Sequence, residues 1–138
     1  MIKSIMLPVD GSSFSEKAGE HAIFLAKGLN AKLTAVHVLK LGNTQKLDDE
    51  NIENAKMKEA DTVFSSIKEK ATKQSVEMET KILVSRDIVE TILEEAKDGN
   101  YDVIVMGSHG LSGLKKLILG SVTEEVLKRS TIPVFVSR

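Results

Sequence analysis

Asp102-Val103-Ile104-Val105-Met106-Gly107-Ser108-His109-Gly110 is the stretch on which the fold is decided. Four apolar residues follow one another without a polar break, and the run ends on glycine. A strand wet on one side alternates apolar with polar. An unbroken run this short, bounded by turn residues, reads as a strand covered on both faces. Such strands sit in parallel sheets, where each crossover carries a helix. Outward from this strand the chain keeps that rhythm. Downstream, Ser108 to Leu119 is a glycine-punctuated loop, Gly120 to Arg129 the last helix and Ile132 to Ser137 the last strand. Upstream, Asp87 starts a helix carrying Ile88, Ile92, Leu93 and Ala96, which Gly99 closes. Val76 to Val84 alternates as a half-exposed strand should.

Further upstream lies a long charged helix with the apolar stripe Ile52, Ala55, Ala60, Val63, Phe64, Ile67 and Ala71. Its Lys and Glu residues read as a solvated face. Leu41 to Glu50 is polar, contains Gly42-Asn43 and reads as a flexible connection. Lys32 to Leu39 is a strand. Before it, a helix sets Ala18, Ala22, Leu25, Ala26 and Leu29 on one face, and Asn30 closes it in a left-handed conformation. Ser12 or Ser13 is its N-cap, with Glu16 completing a capping box with Ser13. Ile2 to Val9 is the first strand. The order βαβαβαβαβ predicts an α/β fold: a single three-layer domain over residues 1–138, with a five-stranded parallel sheet and helices on both faces. Right-handed crossovers leave two main strand orders, 2-1-3-4-5 and 3-2-1-4-5.

Composition narrows the function. The net charge is −1, which favours neither nucleic acid nor an anionic membrane as partner. The chain has no cysteine, which removes thiolate catalysis and Cys-based metal sites. No apolar run approaches the roughly 20 residues of a bilayer span. Met1-Ile2-Lys3-Ser4 lacks the charged and apolar regions of a signal peptide. The expectation is a cytoplasmic protein.

In open parallel sheets, ligands bind beyond the carboxyl ends of strands, where the strand order reverses. Pro8-Val9-Asp10-Gly11, His37-Val38-Leu39 and Gly107-Ser108-His109-Gly110 fall at such ends. In the order 3-2-1-4-5, Asp10 and Gly107 face each other across one crevice. Gly107 and Gly110 suit a turn with positive φ that a ligand can approach closely, and its N–H groups can form an anion nest. Gly120-Ser121 opens a helix whose N-terminus makes a second phosphate site. Two anion sites joined by nine residues suit a polyphosphate. A phosphate-binding Gly-x-x-x-x-Gly-Lys-[Ser/Thr] loop is missing, as is Gly-x-Gly-x-x-Gly after the first strand. His109 is a candidate ligand contact and His37 a strand residue packed near the pocket. His21 reads as a helix surface residue, and Lys115 and Lys116 as a solvated loop.

These residues resemble the universal stress protein family. Its nucleotide-binding branch carries Gly-x-x-Gly, nine residues, then Gly-[Ser/Thr], matched here by Gly107, Gly110, Gly120 and Ser121. Ile5-Met6-Leu7-Pro8-Val9-Asp10-Gly11-Ser12 is similar to that family's first strand and turn, and Ile132-Pro133-Val134-Phe135-Val136 to its last. The resemblance implies the order 3-2-1-4-5, with ATP (AMP or ADP as alternatives) across the ends of strands 1 and 4. It implies that Pro8, Val9 and Val38 line the adenine pocket, beside Met106. Asp10 would lie near ribose and phosphates and serve Mg2+ or Mn2+. Gly107, Ser108, His109, Gly110, Gly120, Ser121, Val122 and Thr123 would hold ribose and phosphates. It also implies a homodimer through Ile132 to Ser137, an apolar edge that pairing would protect.

The function expected is an ATP-binding stress-response or regulatory protein with slow or absent hydrolysis. The alternative is a weak ATPase or nucleotide-dependent enzyme of the same fold. No general base is evident for it, the loop holds no arginine, and the chain's arginines, Arg86, Arg129 and Arg138, read as remote from the site. A phospho-receiver needs an acceptor Asp after strand 3, where this chain has Val84-Ser85-Arg86. A structural dimer that binds nothing is disfavoured by the intact glycine spacing.

Overall fold

The strands run β1 (Ser4–Pro8), β2 (Lys32–Lys40), β3 (Met78–Ser85), β4 (Val103–Gly107) and β5 (Val134–Ser137). Between them lie α1 (Ser13–Leu29), α2 (Asp49–Lys73), α3 (Ile88–Asp98) and α4 (Ser121–Arg129). The computed structural model describes residues 1–41, 49–109 and 119–138. All pairings are parallel and the order is β3-β2-β1-β4-β5. Of the two orders that crossover rules left open, the structure has the one the family resemblance implied, which makes β1 and β4 neighbours.

Strand alternation divides the core into two layers. Ile5, Leu7, Val9, Leu33, Ala35, Val103 and Val105 pack beneath α1 and α2, with Ala18, Ala22, Val63, Phe64 and Ile67. Met6, Val36, Val38, Ile104 and Met106 pack beneath α3 and α4, with Ile92, Ala96 and Val126. Ile5, Leu7, Leu33 and Val105 are fully buried, each worth about 1.5–3 kcal/mol in transfer from water. This two-sided cover is why Val103 to Met106 carries no polar break.

Helix ends follow local chemistry. Ser12 caps α1, its Oγ accepting from Ser15 N–H at 3.2 Å. Ser15, not Glu16, therefore holds the third helical position, and the expected Ser13–Glu16 box does not form. Glu16 turns to α2 instead, where Ser66 and Lys70 meet its carboxylate. Asn30 closes α1 at φ 52°, ψ 45°, the left-handed cap expected of it. Gly99 caps α3 in right-handed geometry, and Asn100 takes the positive φ of 54°. Gly99 is required for another reason: a Cβ there would lie 2.2 Å from the Tyr101 ring.

Some margins move. The third strand starts at Met78 rather than Val76, and the last at Val134 rather than Ile132. Leu29 is exposed, because α1 has by then passed the edge of the core. In α2, none of residues 50–62 is buried; Ala60 packs against the core from its margin and full burial starts at Val63. His21 is half-buried rather than a surface residue. Its Nδ1 lies 2.7 Å from Ser137 Oγ and its ring 5.7 Å from that of Phe135, tying α1 to β5.

Candidate functional site

Pro8 opens the sheet where the strand order reverses. Val9 N–H donates to Val36 O at 2.9 Å, and Asp102 N–H donates to Ser4 O at 2.8 Å. Odd residues of β1 thus face β2 and even ones face β4. Pro8 faces β4 and has no N–H to give it. The β1–β4 register accordingly covers Ile5↔Val103 and Met6↔Ile104, while the β1–β2 register runs on to Pro8↔Val36. Beyond Met6 the β1–β4 ladder ends, at the switch point where open parallel sheets form their crevice.

One wall is the turn from β1 into α1. Asp10 Oδ1 accepts from Ser12 N–H at 2.9 Å, an Asx turn. Gly11 has φ 85°, a conformation that glycine adopts without strain. The facing wall is the end of β4. A Cβ on Gly107 would lie 2.8 Å from both C and O of Phe14. Gly107 is therefore small so that the first turn of α1 can pass over it. Its φ lies outside the positive region, contrary to the expected positive-φ turn.

The chain then crosses to α4. Ser108 O accepts from Gly120 N–H at 2.7 Å, and Ser108 N–H donates to Ser137 O at 3.0 Å. Thr123 Oγ1 donates to Gly107 O at 2.7 Å. These bonds hold the N-terminus of α4 against the end of β4. Gly120 caps α4 without a side-chain acceptor, so the positive end of the helix dipole is not answered by its cap residue. Ser121 is exposed there and Thr123 is buried.

His109 is buried between these elements. Its Nδ1 lies 3.0 Å from Ser108 Oγ, and its ring centroid is 5.0 Å from that of Phe14. Its Nε2 is buried without a hydrogen-bond partner. An orphaned buried polar atom is costly, about 1–3 kcal/mol, and such atoms gather where a ligand completes the bonding.

The structure thus brings Pro8, Val9, Asp10, Gly107, Ser108, His109, Gly120, Ser121 and Thr123 to one end of the sheet. Val38 and Met106 lie at the same strand ends but are core residues of the α3/α4 layer, against which Val122 is partly packed. Gly110, Lys115 and Lys116 lie outside the described residues. No group of three His, Asp or Glu side chains gathers as a metal site among the described residues. Asp10 is a single carboxylate, which fits a Mg2+ or Mn2+ held mainly by nucleotide phosphates and water.

Two residues escaped the sequence reading. Phe14 lies on both Gly107 and His109, and nothing in its spacing marked it. Glu59 reaches the His37 ring at 2.8 Å. It sits four residues before the buried Val63 and eight before Ile67, in line with their face of α2, and that spacing was the available signal.

The family model described as the universal stress protein family matches residues 1–138. Universal stress protein YxiE of Bacillus subtilis is 35% identical over 149 residues, covering 100% of both chains. Universal stress protein MJ0577 of Methanocaldococcus jannaschii is 31% identical over 99% of this chain and 94% of its own. A solved structure of MJ0577 superposes with a TM-score of 0.81, covering 99% of this chain and 96% of that one. The universal stress protein from Archaeoglobus fulgidus, solved in complex with dAMP, is 24% identical with a TM-score of 0.72 over 100% of this chain and 98% of its own.

Proposed function

The chain belongs to the universal stress protein family, and from that premise we propose that it is an adenine-nucleotide-binding regulatory protein. The observation that carries this reading is the N-terminus of α4, bound to the end of β4 by the Gly120–Ser108 and Thr123–Gly107 hydrogen bonds. That end and the Asp10 turn lie at the same end of neighbouring strands. A helix N-terminus opened by a glycine suits phosphate, and the orphaned His109 Nε2 supplies a further partner. The dAMP held by the Archaeoglobus relative supports adenine as the base.

In this reading ATP is the ligand, and AMP and ADP are its competitors. Pro8, Val9, Val38 and Met106 line the base. Asp10 lies toward ribose and phosphates and takes Mg2+ or Mn2+ with them. Gly107, Ser108, His109, Gly110, Gly120, Ser121, Val122 and Thr123 hold ribose and phosphates, Thr123 acting through its Gly107 bond. Hydrolysis is slow or absent, and bound nucleotide changes how the protein meets a partner. Two copies pair through β5, an edge strand on which Phe135 is exposed and which pairing would cover.

The test is equilibrium binding of AMP, ADP and ATP to purified protein, with and without Mg2+, followed by a phosphate-release assay. Wild type binds and turns over slowly, and a Gly110→Val, Gly120→Val double variant does not bind. No binding by wild type, or equal binding by the double variant, overturns the site. Fast turnover that depends on Asp10 or His109 overturns the regulatory reading.

A further inference from the structure

His37 is buried, and the nucleotide reading gives it no task. Its ring lies between two acceptors: Nδ1 is 2.8 Å from Val9 O and Nε2 is 2.8 Å from Glu59 Oε2. A carbonyl can only accept, so Nδ1 carries a hydrogen and donates it. The second contact needs a proton of its own, shared between Nε2 and the carboxylate.

Each acceptor belongs to a different element. The Val9 carbonyl is half of the peptide joining Val9 to Asp10, the rim of the crevice. Glu59 stands one turn ahead of Val63, where the buried part of α2 begins. α2 runs back from the carboxyl ends of the strands, so its first half stands at the same end of the sheet as the crevice. None of the residues 50–62 of that half is buried. The His37–Glu59 contact therefore adds a polar hold to a segment that the core covers only in part, at Ala60.

We propose that His37 is a positioning residue of the nucleotide site. It fixes the Val9–Asp10 peptide and pins the first half of α2 in one clasp, so that nucleotide occupancy and α2 docking reinforce each other. This rests on the nucleotide reading above. From β1 the ring faces the Val9 carbonyl and from α2 the Glu59 carboxylate. Its register partner on β3 is the uncharged Ile82, and Lys40 on its own strand is exposed. Glu59 is thus the acidic partner of the ring.

The test measures AMP affinity and hydrogen exchange of residues 50–60 in wild type, Glu59→Ala and Glu59→Gln. Glu59→Ala loses about tenfold in AMP affinity, the loss of one charge-assisted bond, and its α2 exchange accelerates in step. Glu59→Gln, whose amide N–H can donate to Nε2, recovers most of both. AMP slows α2 exchange in wild type.

The proposal is overturned if Glu59→Ala matches wild type in affinity and exchange, or if Glu59→Gln recovers nothing relative to Glu59→Ala. A wild type that binds no AMP sinks the nucleotide reading and the coupling with it. Exchange in the free protein still decides whether the clasp holds α2.

Discussion

Gly107→Ala changes one hydrogen to a methyl group at the point where α1 crosses the end of β4. The added carbon would meet C and O of Phe14 at 2.8 Å and its Cβ at 3.0 Å. Carbon contacts settle at about 3.5–4.0 Å, so the two elements must separate by roughly 0.7 Å. Neither can do so freely. β4 is paired on both sides, to β1 and β5, and its last carbonyl is held by Thr123. The start of α1 is held by the Ser12 cap and the Asp10 turn. Overpacking costs about 1–3 kcal/mol, and two of the three clashing atoms are backbone, which places this case near 3 kcal/mol. With a urea m-value of about 2 kcal/mol/M, the unfolding midpoint falls by about 1.5 M. Gly28→Ala is the matched control. A Cβ at Gly28 meets nothing within 4 Å, and removing a glycine from a helix gains about 0.5–1 kcal/mol. If Gly107→Ala unfolds at the wild-type midpoint, close approach is not the reason for the glycine, and the account of this wall of the crevice fails.

The other glycine of the crevice works by φ, so Gly11→Ala costs about 1–2 kcal/mol by strain and Gly11→Asn recovers most of it; equal stability of the two variants in urea refutes the assignment. Thr123→Val leaves the buried Gly107 carbonyl without its donor and costs about 1–3 kcal/mol, whereas Thr123→Ser keeps the bond and loses less than half as much. Tyr101 is the chain's one tyrosine, beside no tryptophan, so ultraviolet absorbance follows its ionisation alone. Burial, then the hydrogen bond to Glu95, pushes the phenol from 10.0 up to about 12. Because the folded value is the raised one, this contribution to stability is complete below about pH 10 and is lost as pH climbs towards 12. Glu95→Gln lowers the midpoint, and an absorbance midpoint near 10 in wild type contradicts the environment described.

What was legible in the sequence was what depends on neighbours along the chain. The unbroken run from Val103 to Met106 announced a strand with two covered faces. Asn30 and Asp87 announced helix ends, because capping is a matter of three or four residues. The order β3-β2-β1-β4-β5 was less accessible. Local patterning is satisfied equally by the other doubly wound order, and only packing of the four crossovers decides between them. Ser12 against Ser13 as cap could not be separated by type. The choice followed from where Gly11 ends the turn and from Ser15 being free to return a bond to Ser12 O at 3.0 Å.

The site shows the same limit more sharply. Gly107 was noticed, but for a conformational reason that the structure replaces with a steric one, since the pressure comes from Phe14, 93 positions away in sequence. Glu59 was passed over because a lysine- and glutamate-rich helix hides one inward carboxylate among many outward ones. Pro8 is the instructive case. A proline in a central strand argues against that strand if every N–H must find a partner. It is tolerated here because its missing donor faces β4 just where the β1–β4 ladder ends. The residue that looks like a defect of the sheet is the one that stops two central strands from zipping shut, and the crevice follows from that lost hydrogen bond.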